Sequence, residues 1–254
     1  MVDSVSRFTT RVENYAKFRP TYPYTIIDLL QAACGLTPAS LVADVGSGTG
    51  ILSEMFLRNG NTVFGVEPNS RMRSSAESLL SKYAQFKSID GAAEATTLDL
   101  HSIDFVTAAQ AFHWFDRTRA RGEFARILKP KGWVILIWNE RRLNSTPFLH
   151  AYEQLLLQYG TDYQQVRHEN VTGQIAEFFA PQAFRRESFE NIQTCDFESL
   201  MGRVLSASYT PEPDHPSFEP MIASLREVFE EHQQRGTIAF GYDTRVYYGQ
   251  LSTL

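Results

Sequence analysis

The 254-residue sequence predicts an α/β fold built on a doubly wound, mostly parallel sheet. Between residues 41 and 138, short apolar runs alternate with segments whose apolar residues recur at helical spacing. This alternation is typical of parallel strands connected by helices. A glycine-rich turn after the first apolar run marks a strand-to-helix connection, and an apolar content of 43% supplies material for a sizeable core.

Each element of the first half has its own signal. Helices at residues 24–34 and 51–59 show one apolar face and stop at a glycine. Two closely spaced prolines predict that an earlier helix ends near Phe18. The other elements predicted here are strands at residues 41–45, 62–66, 86–89, 103–107 and 133–138 and helices at residues 70–83 and 118–128.

The last hundred residues change character. Residues 237–248 are rich in β-branched and aromatic side chains and predict a strand. A proline-rich turn at residues 211–216 precedes a helical pattern at residues 218–233. Further helices are expected at residues 147–159 and 198–205, and a strand at residues 185–193.

Charge and cysteine content exclude several classes of protein. With 24 basic against 29 acidic residues, the net charge of −5 argues against a nucleic-acid binder that works through a basic face. Cys34 and Cys195 lack neighbours at metal-ligand spacing, so we expect free thiols, no metal and no disulfide. No signal peptide or membrane-length apolar run is visible. These features predict a cytoplasmic protein with no membrane association, and we expect no obligate protein partner.

The strongest local signal is the turn Asp44-Val-Gly-Ser-Gly-Thr-Gly50, which follows a strand and opens a helix. Its glycines permit positive φ and close approach to a ligand, and N–H groups at the helix start face that ligand. The third glycine comes one position too early for the dinucleotide pattern G-x-G-x-x-G, and a phosphate loop would require a lysine. Asp44 would repel a pyrophosphate and attract an ammonium group.

A second acid follows the second predicted strand. Glu67 lies 21 residues after Gly46, where a carboxylate can accept hydrogen bonds from both hydroxyls of a ribose. The glycine-rich turn and Glu67 together fit a ligand that has an amine, a carboxylate and a ribose but no phosphate. S-adenosylmethionine has these groups. The alternative is a structural turn followed by a surface glutamate.

With these residues, the sequence resembles the class I S-adenosylmethionine-dependent methyltransferases. The motifs that carry the resemblance stand in the family's order at residues 42–50, 65–72, 91–94, 109–116 and 127–133. Arg19-Pro-Thr-Tyr-Pro23 and Phe112-His-Trp-Phe-Asp116 resemble the branch that contains trans-aconitate methyltransferase. The match covers about residues 37–140.

The resemblance implies a Rossmann-like, doubly wound, mostly parallel seven-stranded sheet with an antiparallel edge strand, an N-terminal helical lid and a helical insertion. It also implies a single methyltransferase domain at residues 1–254. Within it, residues 1–36 would form the lid and first helix, residues 37–145 the cofactor-binding core, and residues 146–254 a substrate cap and the C-terminal strands.

The resemblance further implies roles for single residues. Asp44 and the backbone of Gly46 and Gly48 would hold the methionine part of S-adenosylmethionine, Glu67 its ribose and Met72 its adenine. The other cofactor-binding residues implied are Tyr15, Arg19 and Tyr22 in the lid, Ser47 and Gly50 in the turn, Pro68, Ala92, Ala93 and Glu94 near the ribose and adenine, and Gln110, Ala111 and Phe112 near the sulfonium. Many relatives have Asp at the position of Ala92, so Glu94 or a backbone carbonyl would have to accept from the adenine amino group.

Four residues are candidates for catalysis or substrate binding. His113 is the candidate general base, because a hydroxyl or ammonium acceptor must lose a proton whereas a carboxylate needs no base. The alternative for His113 is a structural histidine hydrogen-bonded in its loop. Trp114 could form a wall of the pocket. Arg141 and Arg142 follow the fifth strand and could clamp a carboxylate, or form a solvated basic pair.

We therefore predict methyl transfer from S-adenosylmethionine to a small molecule, with S-adenosylhomocysteine as product and O-methylation of a carboxylate as the preferred reaction. The alternatives are an N- or C-methyltransferase of another metabolite and a cofactor-binding protein that has lost transfer. The third glycine and Asp44 disfavour a nicotinamide oxidoreductase.

Overall fold

A computed structural model describes residues 17–163 and 171–252 of the chain, and its centre is a seven-stranded sheet. In chain order the strands are β1 (Leu41–Val45), β2 (Thr62–Val66), β3 (Phe86–Ile89), β4 (Ile103–Ala109), β5 (Leu128–Arg141), β6 (Phe184–Cys195) and β7 (Ile238–Gly249). They lie side by side in the order β3-β2-β1-β4-β5-β7-β6. The first five pair in parallel, and β7 runs antiparallel to β5 and β6. The predicted fold class is confirmed, and the antiparallel strand lies one position in from the edge.

Helices connect and cover these strands. In the described ranges they are α1 (Thr25–Cys34), α2 (Ile51–Arg58), α3 (Ser70–Leu79), α4 (Arg117–Ile127), α5 (Pro147–Tyr159), α6 (Val171–Phe179), α7 (Phe197–Leu205) and α8 (Phe218–His232), with a short 3₁₀ turn at Phe112–Trp114. None of these helices has the length and apolar content that crossing a bilayer would require.

The largest differences between the predicted and the observed elements lie in three places. Helix α3 ends at Leu79, four residues before the predicted end, and β5 begins at Leu128 rather than at residue 133. Helix α6 was not predicted, because Thr172 and Gly173 disfavour a helix. Tertiary packing supports it, since Ile175 and Phe179 are fully buried against the sheet.

Helices pack against both faces of the sheet. Helices α1 and α2 bury Leu30 and Phe56 against one face, whereas α4 and α6 bury Phe124 and Phe179 against the other. The connection after β1 therefore leaves on one face and the connection after β4 on the opposite face, although β1 and β4 are neighbours. Such a switch point opens a crevice at the carboxyl ends of the strands.

A third apolar cluster lies outside the central sandwich. Helices α5, α7 and α8 pack around the first half of β7, with Leu156, Leu200 and Leu225 fully buried. We call this region, residues 147–163 and 197–242, the cap. The cap lies at the same edge of the sheet as the crevice. The carboxyl end of β5 reaches it, because Arg141 pairs with Tyr242 of β7.

Candidate functional site

The turn after β1 folds over the end of β2. Gly46 and Ser47 both donate their N–H groups to the Val66 carbonyl, at 2.8 and 3.2 Å. Gly46 has a φ of +70°, and a Cβ at this position would lie 2.6 Å from Ala111 Cβ. Glycine meets both requirements at no steric cost. The close approach seats the turn against the loop that follows β4.

Glu67 directly follows β2 and faces this turn. Its Oε2 accepts the Gly48 N–H at 3.0 Å and its Oε1 accepts the Asn69 N–H at 2.9 Å. Burial raises the pKa of Glu67, while the two N–H donors and the charge of Arg73 act in the opposite direction. Each carboxylate oxygen keeps a further lone pair, so the oriented side chain can still accept from a ligand.

The loop after β3 forms a second wall. Ala92 and Ala95 exchange backbone hydrogen bonds of 3.2 and 3.0 Å, which closes a tight turn. Glu94 Oε1 accepts the N–H of Asp116 at 2.7 Å. Asp116 in turn caps α4, so the loop after β3 is fastened to the start of that helix.

Gln110, directly after β4, has an uncommon backbone conformation with a φ of +54°. Its N–H donates to the Ile137 carbonyl at 3.0 Å, and its Nε2 donates to the Asn139 carbonyl at 3.1 Å. Both acceptors belong to β5, so the neighbouring strand holds the strained residue in place. Strain of this kind persists where the surrounding structure enforces it and clusters at binding sites.

These segments enclose a cleft of about 290 Å³ at the carboxyl ends of β1, β2 and β4. The cleft brings together most of the residues that the sequence pointed to. Its lining includes Gly46, Gly48, Glu67, Pro68, Met72, Ala92, Ala93, Glu94, Gln110, Ala111 and Trp114, together with three that the sequence did not predict, Asn69, Ala109 and Phe115.

One of these three residues had a readable signal. Asn69 precedes a helical pattern, and its side chain accepts the N–H groups of Arg71 and Met72 as the cap of α3. Capping is readable from sequence. The sequence does not predict that Asn69 lines the cleft, because that depends on how the chain turns after Glu67. Ala109 and Phe115 have no comparable signal in the sequence.

Asp44 lies beneath the turn and does not line the cleft, so its contact with the ligand stays a prediction from the sequence. It is 1% exposed, and its carboxylate accepts from Ser53 Oγ at 2.6 Å and from Thr107 Oγ1 at 3.3 Å. Burial raises its pKa from 3.8 to about 6, although both hydroxyl donors oppose the shift. In this structure, Asp44 supports the turn from below.

This raised pKa predicts a pH dependence of stability. The folded state binds the Asp44 proton more tightly than the unfolded chain, so this carboxyl favours folding most below pH 3.8, and that contribution is lost as the pH rises to about 6. The asparagine of Asp44→Asn does not titrate. As the pH rises through this window, the free energy of unfolding of wild type should therefore fall relative to that of the variant. Urea unfolding of both proteins between pH 4 and 7 measures the difference, and parallel pH profiles would contradict it.

Three other residues assigned to the cofactor lie outside the lining of the cleft, and their roles stay predictions. Ser47 and Gly50 belong to the turn but do not line the cleft. A Cβ on Gly50, which has a φ of +85°, would lie 2.5 Å from Leu80 Cδ1, so this glycine serves packing. Phe112 is fully buried and meets Phe178 edge to face with ring centroids 5.0 Å apart. It is a core residue because the 3₁₀ turn directs it inward.

The candidate base also lies apart from the cleft lining. His113 is half-buried, and its ring centroid lies 4.8 Å from that of Trp114. Trp114 is 38% exposed and does line the cleft. Successive residues of the 3₁₀ turn point in different directions, which explains why only one of them faces the cleft.

The N-terminal segment contacts the cap. Arg19 Nη2 donates to the Ser206 carbonyl at 2.9 Å, at the end of α7, and its role in cofactor binding stays a prediction. Tyr22 packs against the apolar cluster beneath α1 and α2. Tyr15 lies outside the described residues.

The arginine pair after β5 is also not placed as expected. Arg142 pairs with Asp243 at 2.7 Å and with Glu190 at 2.8 Å, so two carboxylates of the chain itself bind it. Arg141 turns into the cap and pairs with Glu153. The two side chains have different partners, Glu153 for one and Asp243 and Glu190 for the other, so they do not clamp one ligand together.

Comparisons with known proteins agree with this geometry. Residues 43–136 match the model of a family described as "Methyltransferase domain". An uncharacterized methyltransferase of Mycobacterium tuberculosis is 39% identical over 134 residues, which are 53% of this chain and 52% of that protein. One from Schizosaccharomyces pombe is 32% identical over 150 residues, 59% of this chain and 58% of the relative. The chain thus matches little more than half the length of these relatives.

Solved structures show the same fold at low sequence identity. A candidate type II methyltransferase of Anaeromyxobacter dehalogenans superposes with a TM-score of 0.67 at 20% identity, covering 92% of this chain and 98% of that one. The YcgJ protein of Bacillus subtilis gives a TM-score of 0.57 at 20% identity, with 89% and 98% covered. At these identities the likeness concerns the fold alone.

Proposed function

Because residues 43–136 match a family described as a methyltransferase domain, we propose that the chain transfers a methyl group from S-adenosylmethionine to a small-molecule acceptor. One observation carries the proposal. At the switch point of the sheet, a positive-φ glycine turn and an oriented carboxylate, Glu67, line the same cleft. A cytoplasmic location remains a prediction from the sequence.

The cleft's chemistry fits this cofactor along its length. Glu67 is placed to accept from the ribose hydroxyls, and Met72 and Ala93 offer apolar contact to the purine ring. Gly46 and Gly48 would hold the methionine part through their backbone. When bound, S-adenosylmethionine supplies an activated methyl group on a sulfonium. The chain's contribution is then alignment of the two reactants, which is worth about 7–11 kcal/mol in well-oriented reactions.

We further propose that the methylated group is a carboxylate oxygen. Among the described residues that line the cleft, the ionisable side chains are Glu67 and Glu94, and each already accepts a backbone N–H. Neither is arranged as a general base, and His113 lies outside this lining. An acceptor that is already deprotonated at neutral pH fits such a cleft, and a carboxylate has this property.

His113→Gln tests this argument. We expect the rate of transfer to a carboxylate acceptor to stay within about threefold of wild type, far from the roughly 10²–10⁴-fold loss typical of a missing general base. Single-turnover rates with labelled cofactor measure it. A hundredfold or greater loss at unchanged cofactor affinity would make His113 the base and favour a hydroxyl or amine acceptor.

The reaction itself is tested with S-adenosylmethionine labelled in its methyl group. The acceptors are di- and tricarboxylic acids, their amides, and matched amines and alcohols. We expect label on the acids, released by mild alkali as expected of a methyl ester, and none on the amides. Label confined to amines or alcohols would contradict carboxylate methylation and leave methyl transfer standing.

A further inference from the structure

Where the cap meets the end of β5, two guanidinium groups and two aromatic rings form a cluster that the proposed cofactor cleft does not use. Arg141 Cζ lies 5.0 Å from the ring centroid of Tyr152, whose ring is 5.1 Å from that of Phe240. Arg203 Cζ in turn lies 4.9 Å from the Phe240 centroid. Each ring of this aromatic pair thus carries one cation.

Arg203 has no carboxylate partner among the described residues. Its Nη1 donates to the Tyr242 hydroxyl at 2.9 Å and its Nη2 to Gln193 Oε1 at 2.8 Å, while its buried Nε has no partner. Burial raises the pKa of Tyr242 to about 12, so that hydroxyl is neutral and does not offset the charge. A half-buried guanidinium therefore stands without a counter-ion.

Arg141 has a carboxylate partner, but one of its terminal nitrogens makes no hydrogen bond. Its side chain is 12% exposed, and its Nη2 donates to both Glu153 and the Tyr163 hydroxyl. Its Nη1 is buried and has no hydrogen-bond partner. Buried donors are nearly always satisfied in native proteins, so a spare N–H on each of two guanidiniums calls for an acceptor.

Arg141, one member of this cluster, lies on the strand that also contacts the cofactor cleft. Gln110, in the cleft lining, donates to the carbonyl of Asn139, and Arg141 follows Asn139 by two residues on β5. At about 3.3 Å per strand residue, the backbone of Arg141 lies roughly 7 Å beyond that of Asn139 along β5. A small acceptor molecule can bridge such a distance.

We infer that Arg203 and Arg141 form the anion-binding part of the acceptor site, and that the acceptor carries a carboxylate which they hold. This inference rests on the proposed function, since it assigns the acceptor side of the same reaction. A guanidinium suits the task because its planar fork matches a carboxylate and stays charged at all relevant pH values. The carboxylate would balance the charge that Arg203 leaves uncompensated, and the aromatic pair gives the acceptor's carbon skeleton an apolar surface.

Calorimetry on the full chain tests the inference in phosphate-free buffer with saturating S-adenosylhomocysteine. The probes are glutarate, tricarballylate and the uncharged glutaramide. We expect at least one of the acids to bind and glutaramide not to bind. Arg203→Gln and Arg141→Gln should each weaken acid binding at least tenfold while the affinity for S-adenosylhomocysteine stays unchanged.

Arg226→Gln is the matched control, because Arg226 is a cap arginine that stacks 4.1 Å from the centroid of Phe197 but is exposed. It should bind the acids as wild type does.

Should Arg203→Gln fail to fold, Arg203→Lys serves instead, and we expect severalfold weaker acid binding because lysine lacks the planar fork of the guanidinium. Equal acid binding in the arginine variants and wild type, or no acid binding by the wild-type complex with S-adenosylhomocysteine, would overturn the inference. Absence of S-adenosylhomocysteine binding in wild type would contradict the proposed function instead.

Discussion

Glu67→Gln should weaken the binding of S-adenosylhomocysteine about 100-fold, because a hydrogen bond to a charged group contributes about 1.5–3 kcal/mol and an amide cannot accept through both of its heavy atoms. The carboxylate accepts the N–H groups of Gly48 and Asn69 while facing the cleft. An amide nitrogen would oppose one of those donors and could no longer accept from one ribose hydroxyl. Isothermal titration measures the affinity.

The control for this variant is Glu77→Gln, an exposed glutamate of α3 that does not line the cleft. It undergoes the same change of charge, so any loss of affinity beyond that control belongs to the position of Glu67. Unchanged affinity in a Glu67→Gln protein that unfolds at the wild-type temperature would remove Glu67 from the binding site.

Gly46→Ala should destabilise the fold and impair the cleft together. A left-handed backbone costs an L-residue about 1–2 kcal/mol, and overpacking typically costs about 1–3 kcal/mol, so the free energy of unfolding should fall by roughly 2–5 kcal/mol. The clash is with Ala111 Cβ, at 2.6 Å, and Ala111 itself lines the cleft. Chemical denaturation and S-adenosylhomocysteine titration measure the two effects.

Gly35→Ala separates strain from clash. Gly35 has a φ of +72° at the end of α1, but a Cβ there would meet nothing within 4 Å. Gly35→Ala should lower the free energy of unfolding only by the conformational cost, about 1–2 kcal/mol, and keep wild-type affinity. Equal losses in the two variants would mean that the approach of the turn to Ala111 contributes nothing.

The cofactor side of the site was predictable because its chemistry depends on backbone conformation and on local sequence. A glycine turn directly after a strand and an acid directly after the next strand must meet at one sheet edge once the sheet is parallel. The resemblance added the segment around Ala93 and the residues after β4. These segments line one cleft in the structure.

The acceptor side was not predictable, because it depends on how side chains turn and on contacts distant in sequence. Arg141 and Arg142 are adjacent, yet one is buried in the cap and the other pairs with Asp243 across 101 residues. Arg203 had no signal at all, since a single arginine in an amphipathic helix reads as a surface residue. Only the packing of α7 against β7 brings it to Phe240.

Calorimetric titration of wild-type protein with S-adenosylhomocysteine and, separately, with NAD tests the central claim most directly. The account predicts micromolar binding of S-adenosylhomocysteine and no comparable binding of NAD, because the turn lacks the dinucleotide pattern while Glu67 is placed for a ribose. Failure of folded protein to bind S-adenosylhomocysteine, or preferential binding of NAD, would contradict the assignment of the cleft.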